Sequence, residues 1–265
     1  MLIKLFFILN LMTLTTPLGS LIEPKKDYVG LPSDYDIDHS TIKIESGSFE
    51  LHAWLSKADE NSNNLIILAY GDYGNMSYYL SYIKFYVSQG FDVLSFDYRG
   101  FGKSDHFNID KDYLFYNEFT TDLINVINYS KKNYNYERIG VLGLSMGSIM
   151  TIKSDEQAPV DFMIIDGSVY SINDVLLRLN DPAVKLPDEG NNEKKLEILW
   201  GNYKNKLLIH GASDDKITTL TDSKNIENQD KLNRRLYSYS GNHLGFIKSN
   251  PNKKEYKNYL NWLIN

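Results

Sequence analysis

There is no cysteine among the 265 residues. That absence excludes a thiolate nucleophile, disulfide bridges and every cysteine-based zinc site. Long runs of one charge are missing too. The formal net charge of −6 is spread along the chain, which leaves no basic face to neutralise phosphates, so nucleic acid is not an expected partner. Internal repeats and low-complexity stretches are absent as well, and beyond the N-terminus no apolar run approaches the roughly 20 residues of a membrane helix. What is present is globular in character. Hydrophobic residues make up 42% and charged residues 23%, and 20 tyrosines supply amphipathic bodies suited to pocket walls. The length fits one catalytic domain with one sizeable core.

The first 20 residues have a different character. Lys4 precedes an apolar stretch from Leu5 to Leu14, and Pro17-Leu18-Gly19-Ser20 follows, the order of a secretory signal with small residues near the cleavage point. Residues 1–20 are therefore expected to be a signal peptide and 21–265 the single domain, exported to the periplasm or secreted. The rival is an uncleaved N-terminal anchor, against which Asn10 and Thr13 count by interrupting the run. That anchor is the one expected route to membrane contact.

The rest of the chain alternates. Thr41 to Glu45 and Phe49 to Leu55, separated by Ser46-Gly47-Ser48, read as an antiparallel hairpin. Short apolar runs then recur at 65–68, 93–96, 139–142, 162–165 and 207–209, the form of strands covered on both faces. Between them Leu80, Ile83 and Val87, then Phe119, Leu123, Val126 and Ile127, and finally Tyr256, Tyr259, Leu260 and Leu263 repeat at helical spacing. This is an α/β pattern: a mostly parallel central sheet with helices on both faces and its chemistry at strand C-termini. One interval breaks the rhythm. About 167–205, with Pro182, Pro187 and Gly190, is longer than a crossover needs and reads either as a small cap insertion or as a long surface loop.

Gly143-Leu144-Ser145-Met146-Gly147 follows one of these strands directly and precedes a helical stretch through Met150 and Ile152. A serine on a tight strand-to-helix turn needs neighbours two positions away that lack side chains, so Ser145 is the candidate nucleophile. Its hydroxyl requires a base. Of five histidines, His39 and His52 precede the parallel sheet, His106 follows its second strand and His210 ends an apolar run. His243 alone lies in a turn after a late strand and before the final helix, where the base belongs. The acid that orients it should come between them in the chain. Asp214, just past the strand ending at Ile209, is the first candidate, Asp166 the second and Asp215 the third.

With these residues the chain resembles the α/β-hydrolase family, above all its small monoacylglycerol-lipase-like and acyl-thioesterase-like members, over most of its length. Asp97-Tyr98-Arg99-Gly100-Phe101-Gly102-Lys103-Ser104 is similar to the family's D-x-R-G-x-G-x-S loop, to which a structural role is implied. Tyr70-Gly71-Asp72-Tyr73-Gly74-Asn75 resembles its H-G-x-x-G-N oxyanion loop, with tyrosine in place of histidine; an ordinary Gly- and Asp-rich turn is the alternative. By resemblance the oxyanion hole is the backbone N–H of Asp72 and of Met146, with the Asp72 side chain pointing away from the developing charge. Ser148 stands where many relatives have glycine.

These readings imply a serine hydrolase acting on a small-molecule or acylated substrate through an acyl-enzyme, with no cofactor or metal. A carboxylic ester is the first choice, a thioester or an amide on the same triad the alternative. Serine at the elbow argues against relatives that use a carboxylate nucleophile, such as haloalkane dehalogenases and epoxide hydrolases. A non-catalytic scaffold that binds a ligand or partner is the reading from another class.

Overall fold

The computed structural model describes residues 21–187 and 195–265. The expected signal peptide, residues 1–20, and Gly190 of the expected cap lie outside the described residues.

Among the described residues, ten strands occur in chain order: β1 (Glu23–Pro24), β2 (His39–Ser46), β3 (Phe49–Ser56), β4 (Asn64–Ala69), β5 (Tyr73–Gly74), β6 (Asp92–Phe96), β7 (Arg138–Leu144), β8 (Phe162–Asp166), β9 (Lys206–Ala212) and β10 (Arg234–Tyr239). The α-helices are α1 (Leu80–Val87), α2 (Asn117–Asn133), α3 (Met146–Ser154), α4 (Ile172–Leu179), α5 (Leu196–Asn202), α6 (Leu220–Asn228) and α7 (Lys253–Ile264). Eight strands form one sheet in the order β10-β9-β8-β7-β4-β6-β3-β2. From β10 to β6 every pairing is parallel, whereas β2 and β3 form the antiparallel edge hairpin. The apolar runs became strands because helices cover both faces: β6 and β8 are buried along their whole length.

The helices sort by contact. α1 and α7 share one face, where Phe85 and Tyr256 meet with ring centroids 5.4 Å apart. On the opposite face α2 packs on α3, α3 on α5, and α5 on α6. α2 sits there because Phe119, Leu123, Val126 and Ile127 make one buried stripe, with Glu118 in its first turn and Lys131 and Lys132 in its last matching the helix dipole. α6 starts at a capping box in which Thr219 and Asp222 serve each other's backbone.

Strand order places the site. The chain steps from β4 to β6 on one side, then returns past β4 to β7 on the other. The loops that follow β4 and β7 consequently leave toward opposite faces and open a crevice between their C-terminal ends, the usual ligand position in such sheets. Between β8 and β9, within the expected cap interval, α4 lies over that crevice. Arg178 of α4 donates to Asp222 Oδ2 at 2.5 Å and to the Ile217 carbonyl at 2.7 Å, tying the helix to α6 and to the loop before it. The indole of Trp200 in α5 donates to the Val169 carbonyl at 2.9 Å. Among the described residues, no helix is long and apolar enough to cross a membrane.

Candidate active site

Ser145 occupies the turn from β7 into α3 with φ 53° and ψ −119°, a conformation costly for a residue with a Cβ. Its surroundings leave no alternative. A Cβ on Gly147 would stand 1.9 Å from the Ala69 carbonyl oxygen, and one on Gly143 would stand 2.5 Å from Thr151 Oγ1. Gly147 lets the elbow press against the end of β4 and Gly143 lets α3 fold back on β7, so both neighbours two positions from the serine must lack side chains. The Ser145 N–H donates to the Asp166 carbonyl at 2.9 Å, fixing the turn to the end of β8. Ser148, in place of a glycine, is fully buried and its hydroxyl accepts the Val169 N–H at 3.0 Å.

His243 Nε2 lies 2.8 Å from Ser145 Oγ, and His243 Nδ1 lies 2.6 Å from Asp215 Oδ2. The carboxylate against the imidazole is thus Asp215, which corrects the first-ranked Asp214. Asp214 is exposed: its carboxylate accepts the Ser213 hydroxyl at 3.0 Å, while its N–H binds the Gly241 carbonyl at 2.9 Å and so braces the histidine loop through the backbone. Asp215 turns inward because its own turn holds it. Its Oδ1 accepts the N–H groups of Ile217 and Thr218, each at 2.9 Å, and the Thr218 hydroxyl donates to Oδ2 at 2.6 Å while lying 3.0 Å from His243 Nδ1. An aspartate binding the backbone two and three residues ahead, just before a Thr-capped helix, is the local feature that separates it from its neighbour. Thr218 was not anticipated.

Asp166, the second candidate acid, has another place. It is fully buried and takes the hydroxyls of Tyr82 at 2.8 Å and Tyr239 at 3.0 Å. Those tyrosines reach the histidine loop: Tyr82 Oη lies 3.2 Å from the Leu244 carbonyl, and Tyr239 Oη accepts the Gly245 N–H at 3.0 Å. Burial pushes the Asp166 carboxyl up to about 6, with the two hydroxyls opposing.

Burial around the His243 ring disfavours its charged form, but the hydrogen bond and charge of Asp215, followed by the charges of Asp166 and Asp72, outweigh it and raise the imidazole above its ordinary value. The ring keeps one edge open, with 36% of its side-chain surface exposed. Burial likewise opposes ionisation of Asp215, yet His243, Thr218 and the Ile217 N–H overcome it and hold the carboxyl below its usual range. With Nδ1–H directed to Asp215, Nε2 is the acceptor that faces the serine hydroxyl.

The loop after β4 abuts the elbow, since a Cβ on Gly71 would stand 3.4 Å from Ser145 Cβ. Met146 opens α3, so its N–H has no partner within the helix. Tyr70, where histidine was expected from the resemblance, is fully buried, stacks on Tyr79 at 5.0 Å and reaches Asp97 Oδ1 at 3.4 Å. Asp97 also accepts Met76 N–H at 2.9 Å and Tyr28 Oη at 2.5 Å, while Arg99 grips Asp122 through Nε at 3.0 Å and Nη2 at 2.6 Å. Through Asp97, the D-x-R-G loop therefore braces the loop after β4 from behind.

A cavity of about 300 Å³ opens at Ser145 and His243, with Leu114, Ile149, Val175 and Leu179 among its apolar walls and Asp72 also lining it. Burial raises the Asp72 carboxyl, against the lowering effect of its own N–H and of His243. Among the described residues, no group of three or more His, Asp and Glu side chains is arranged to hold a metal ion.

His210, one of the discounted histidines, is fully buried on β9, stacked on Phe246 at 3.9 Å with Nε2 2.8 Å from Tyr256 Oη. Burial lowers it to about 3. Between pH ~6.5 and that value the unfolded chain binds a proton that the folded chain refuses, so stability falls as pH falls. His210→Phe should remove this component: its unfolding free energy, followed by urea titration, should decline less than wild type's between pH 7 and 4.5. The difference expected from this one site is roughly 1 kcal/mol per pH unit over that range. Equal declines would exclude the assignment.

A strained serine turn at the crevice of a mostly parallel, helix-covered sheet is the architecture of the α/β hydrolases, and this chain is one of them. It belongs to the hydrolase family described as serine aminopeptidase, S33, whose match covers residues 60–216. The uncharacterized protein YfhR of Escherichia coli O157:H7 is 28% identical over 161 residues, 60% of this chain and 55% of that one, so the matched region spans about half of that relative's length. Among solved structures, the esterase Pf2001 of Pyrococcus furiosus has a TM-score of 0.75 at 20% identity, covering 92% of this chain and 100% of that chain. Est1E from Butyrivibrio proteoclasticus, solved with ferulic acid bound, has a TM-score of 0.66 at 18% identity, covering 84% and 99%. At these identities the likeness is one of fold.

Proposed function

We propose that the protein is a serine hydrolase that cleaves a carboxylic ester through an acyl-enzyme. The observation that carries this reading is the continuous chain from Ser145 Oγ to His243 Nε2 at 2.8 Å and from His243 Nδ1 to Asp215 at 2.6 Å. Ser145 Oγ attacks the carbonyl carbon as its proton passes to Nε2, and Asp215 stabilises the imidazolium. The N–H groups of Asp72 and Met146 receive the oxyanion. When the tetrahedral intermediate collapses, the alcohol leaves with the proton from Nε2. Water, deprotonated by the same nitrogen, then attacks the acyl carbon, and the acid departs as Ser145 regains its proton.

An ester is favoured by the apolar pocket walls and by the esterases that share the fold. A second reading, an aminopeptidase or amidase on the same residues, is favoured by the family's description and by Asp72, an acidic residue among those lining the pocket. Parallel assays on p-nitrophenyl esters, acyl thioesters and aminoacyl anilides separate the readings. Esters should be turned over fastest, with kcat/KM falling as pH drops through a value above the ~6.5 of an ordinary histidine, because only neutral His243 accepts the proton. Preferential turnover of anilides would transfer the assignment to the second reading.

A further inference from the structure

The first described residues do not trail from the domain. They run as a strap along the loop after β4, with Leu21 lining the cavity. The Leu21 and Ile22 N–H groups both donate to the Lys111 carbonyl, at 2.9 and 3.0 Å, which fastens the strap to the segment between β6 and α2. Next, β1 pairs in parallel with β5: Glu23 N–H binds the Asp72 carbonyl and Lys25 N–H the Gly74 carbonyl, each at 2.8 Å. Asn75 Nδ2 donates to the Lys25 carbonyl at 3.0 Å and the Asp27 carbonyl at 2.8 Å, and Gly102 N–H donates to the Lys25 carbonyl at 3.0 Å.

Two consequences follow from the chemistry of these bonds. The residue whose N–H is assigned to the oxyanion hole, Asp72, has its carbonyl held by Glu23, so the strap fixes the plane of a peptide adjoining that donor. Ile22 is fully buried, an anchor that leaves its neighbour little freedom. Leu21, half-buried beside it, faces the cavity together with Ser145 and His243, and Leu114 from the segment that holds the strap completes this side.

We infer that the strap is a wall of the substrate pocket and that Leu21 is a specificity-determining residue, setting how long an aliphatic acyl group the pocket accepts. This deepens the serine-hydrolase reading and rests on it. Each methylene that leaves water for such walls favours binding about fourfold. A bulkier residue at position 21 should therefore penalise long chains selectively, and a smaller one should extend the range.

The test uses alkyl fluorophosphonates of two, six and ten carbons, which react with an activated serine whatever its natural leaving group, on the full chain and its Leu21→Trp and Leu21→Ala variants. In Leu21→Trp the ratio of decyl to ethyl labelling rates should fall at least about tenfold, the effect of two or so methylenes losing their contacts. In Leu21→Ala the ratio should rise. Should the tryptophan variant not fold, the alanine variant alone decides the matter by the direction of its shift. Labelling of all three proteins with an unchanged chain-length ratio would overturn the inference. Failure of wild type to be labelled at all would instead overturn the serine-hydrolase reading on which it rests.

Discussion

Ser145→Ala is expected to lower kcat by about 10⁶-fold, the scale on which a Ser-His-Asp system loses its nucleophile. The effect is large because the alternative, direct attack by water on a substrate held in the same pocket, lacks both a positioned oxygen and a covalent intermediate. Alanine keeps a Cβ at φ 53°, so the strain of the elbow persists and the fold should be little altered. Because serine and imidazole act as one unit, adding His243→Ala to this variant should cost almost nothing further. Kinetics on the purified single and double variants, with circular dichroism to verify folding, check both statements. A single variant that retained a tenth of wild-type kcat would place the nucleophile elsewhere.

The second large effect separates two adjacent carboxylates. Asp215→Asn should reduce kcat by about 10⁴-fold, since the amide can neither fix the imidazole tautomer as the carboxylate does nor stabilise the imidazolium. Asp214→Asn should stay within about twofold, as expected at an exposed position outside the hydrogen-bonded chain. The pH profile carries the sign of the effect. The Asp215 charge favours protonated His243, so its loss should move the acidic limb of the residual kcat/KM to lower pH while the maximum falls. Similar losses in both variants, or a limb displaced upward, would contradict the geometry.

The near miss at position 214 marks where sequence reasoning stops. The strand β9 was legible from its apolar run, and the chain order of serine, acid and base from the resemblance to the family. Which of two consecutive aspartates turns inward depends on local backbone bonding, namely the Ile217 and Thr218 N–H groups on one and the Gly241 carbonyl holding the other by its N–H. Neither constraint leaves a trace in hydrophobic periodicity. Asp166, the second candidate acid, has partners hidden for a related reason: only the folded arrangement brings Tyr82, from α1, and Tyr239, from β10, to one carboxylate beneath the histidine loop.

Steric requirements were more readable than hydrogen bonds. The glycines at 143 and 147 announce a turn with no room for side chains two positions from the serine, and the distances agree: a Cβ on Gly143 would strike α3 and one on Gly147 would strike the end of β4. The same applies to the sheet, whose buried parallel strands follow from uninterrupted apolar runs. The strap at residues 21–25 offered no comparable sign. Its side chains have no period, and its position is fixed by β1 pairing with a two-residue strand inside a loop.

Intact-mass and peptide spectrometry after treatment with a fluorophosphonate probe tests most directly whether the elbow is an activated nucleophile. The expected result is one covalent adduct per wild-type chain, on the peptide that contains Ser145, and none on Ser145→Ala. A folded wild-type protein that gains no mass, or a variant labelled to the same extent, would contradict the catalytic assignment and leave a hydrolase scaffold that binds without reacting.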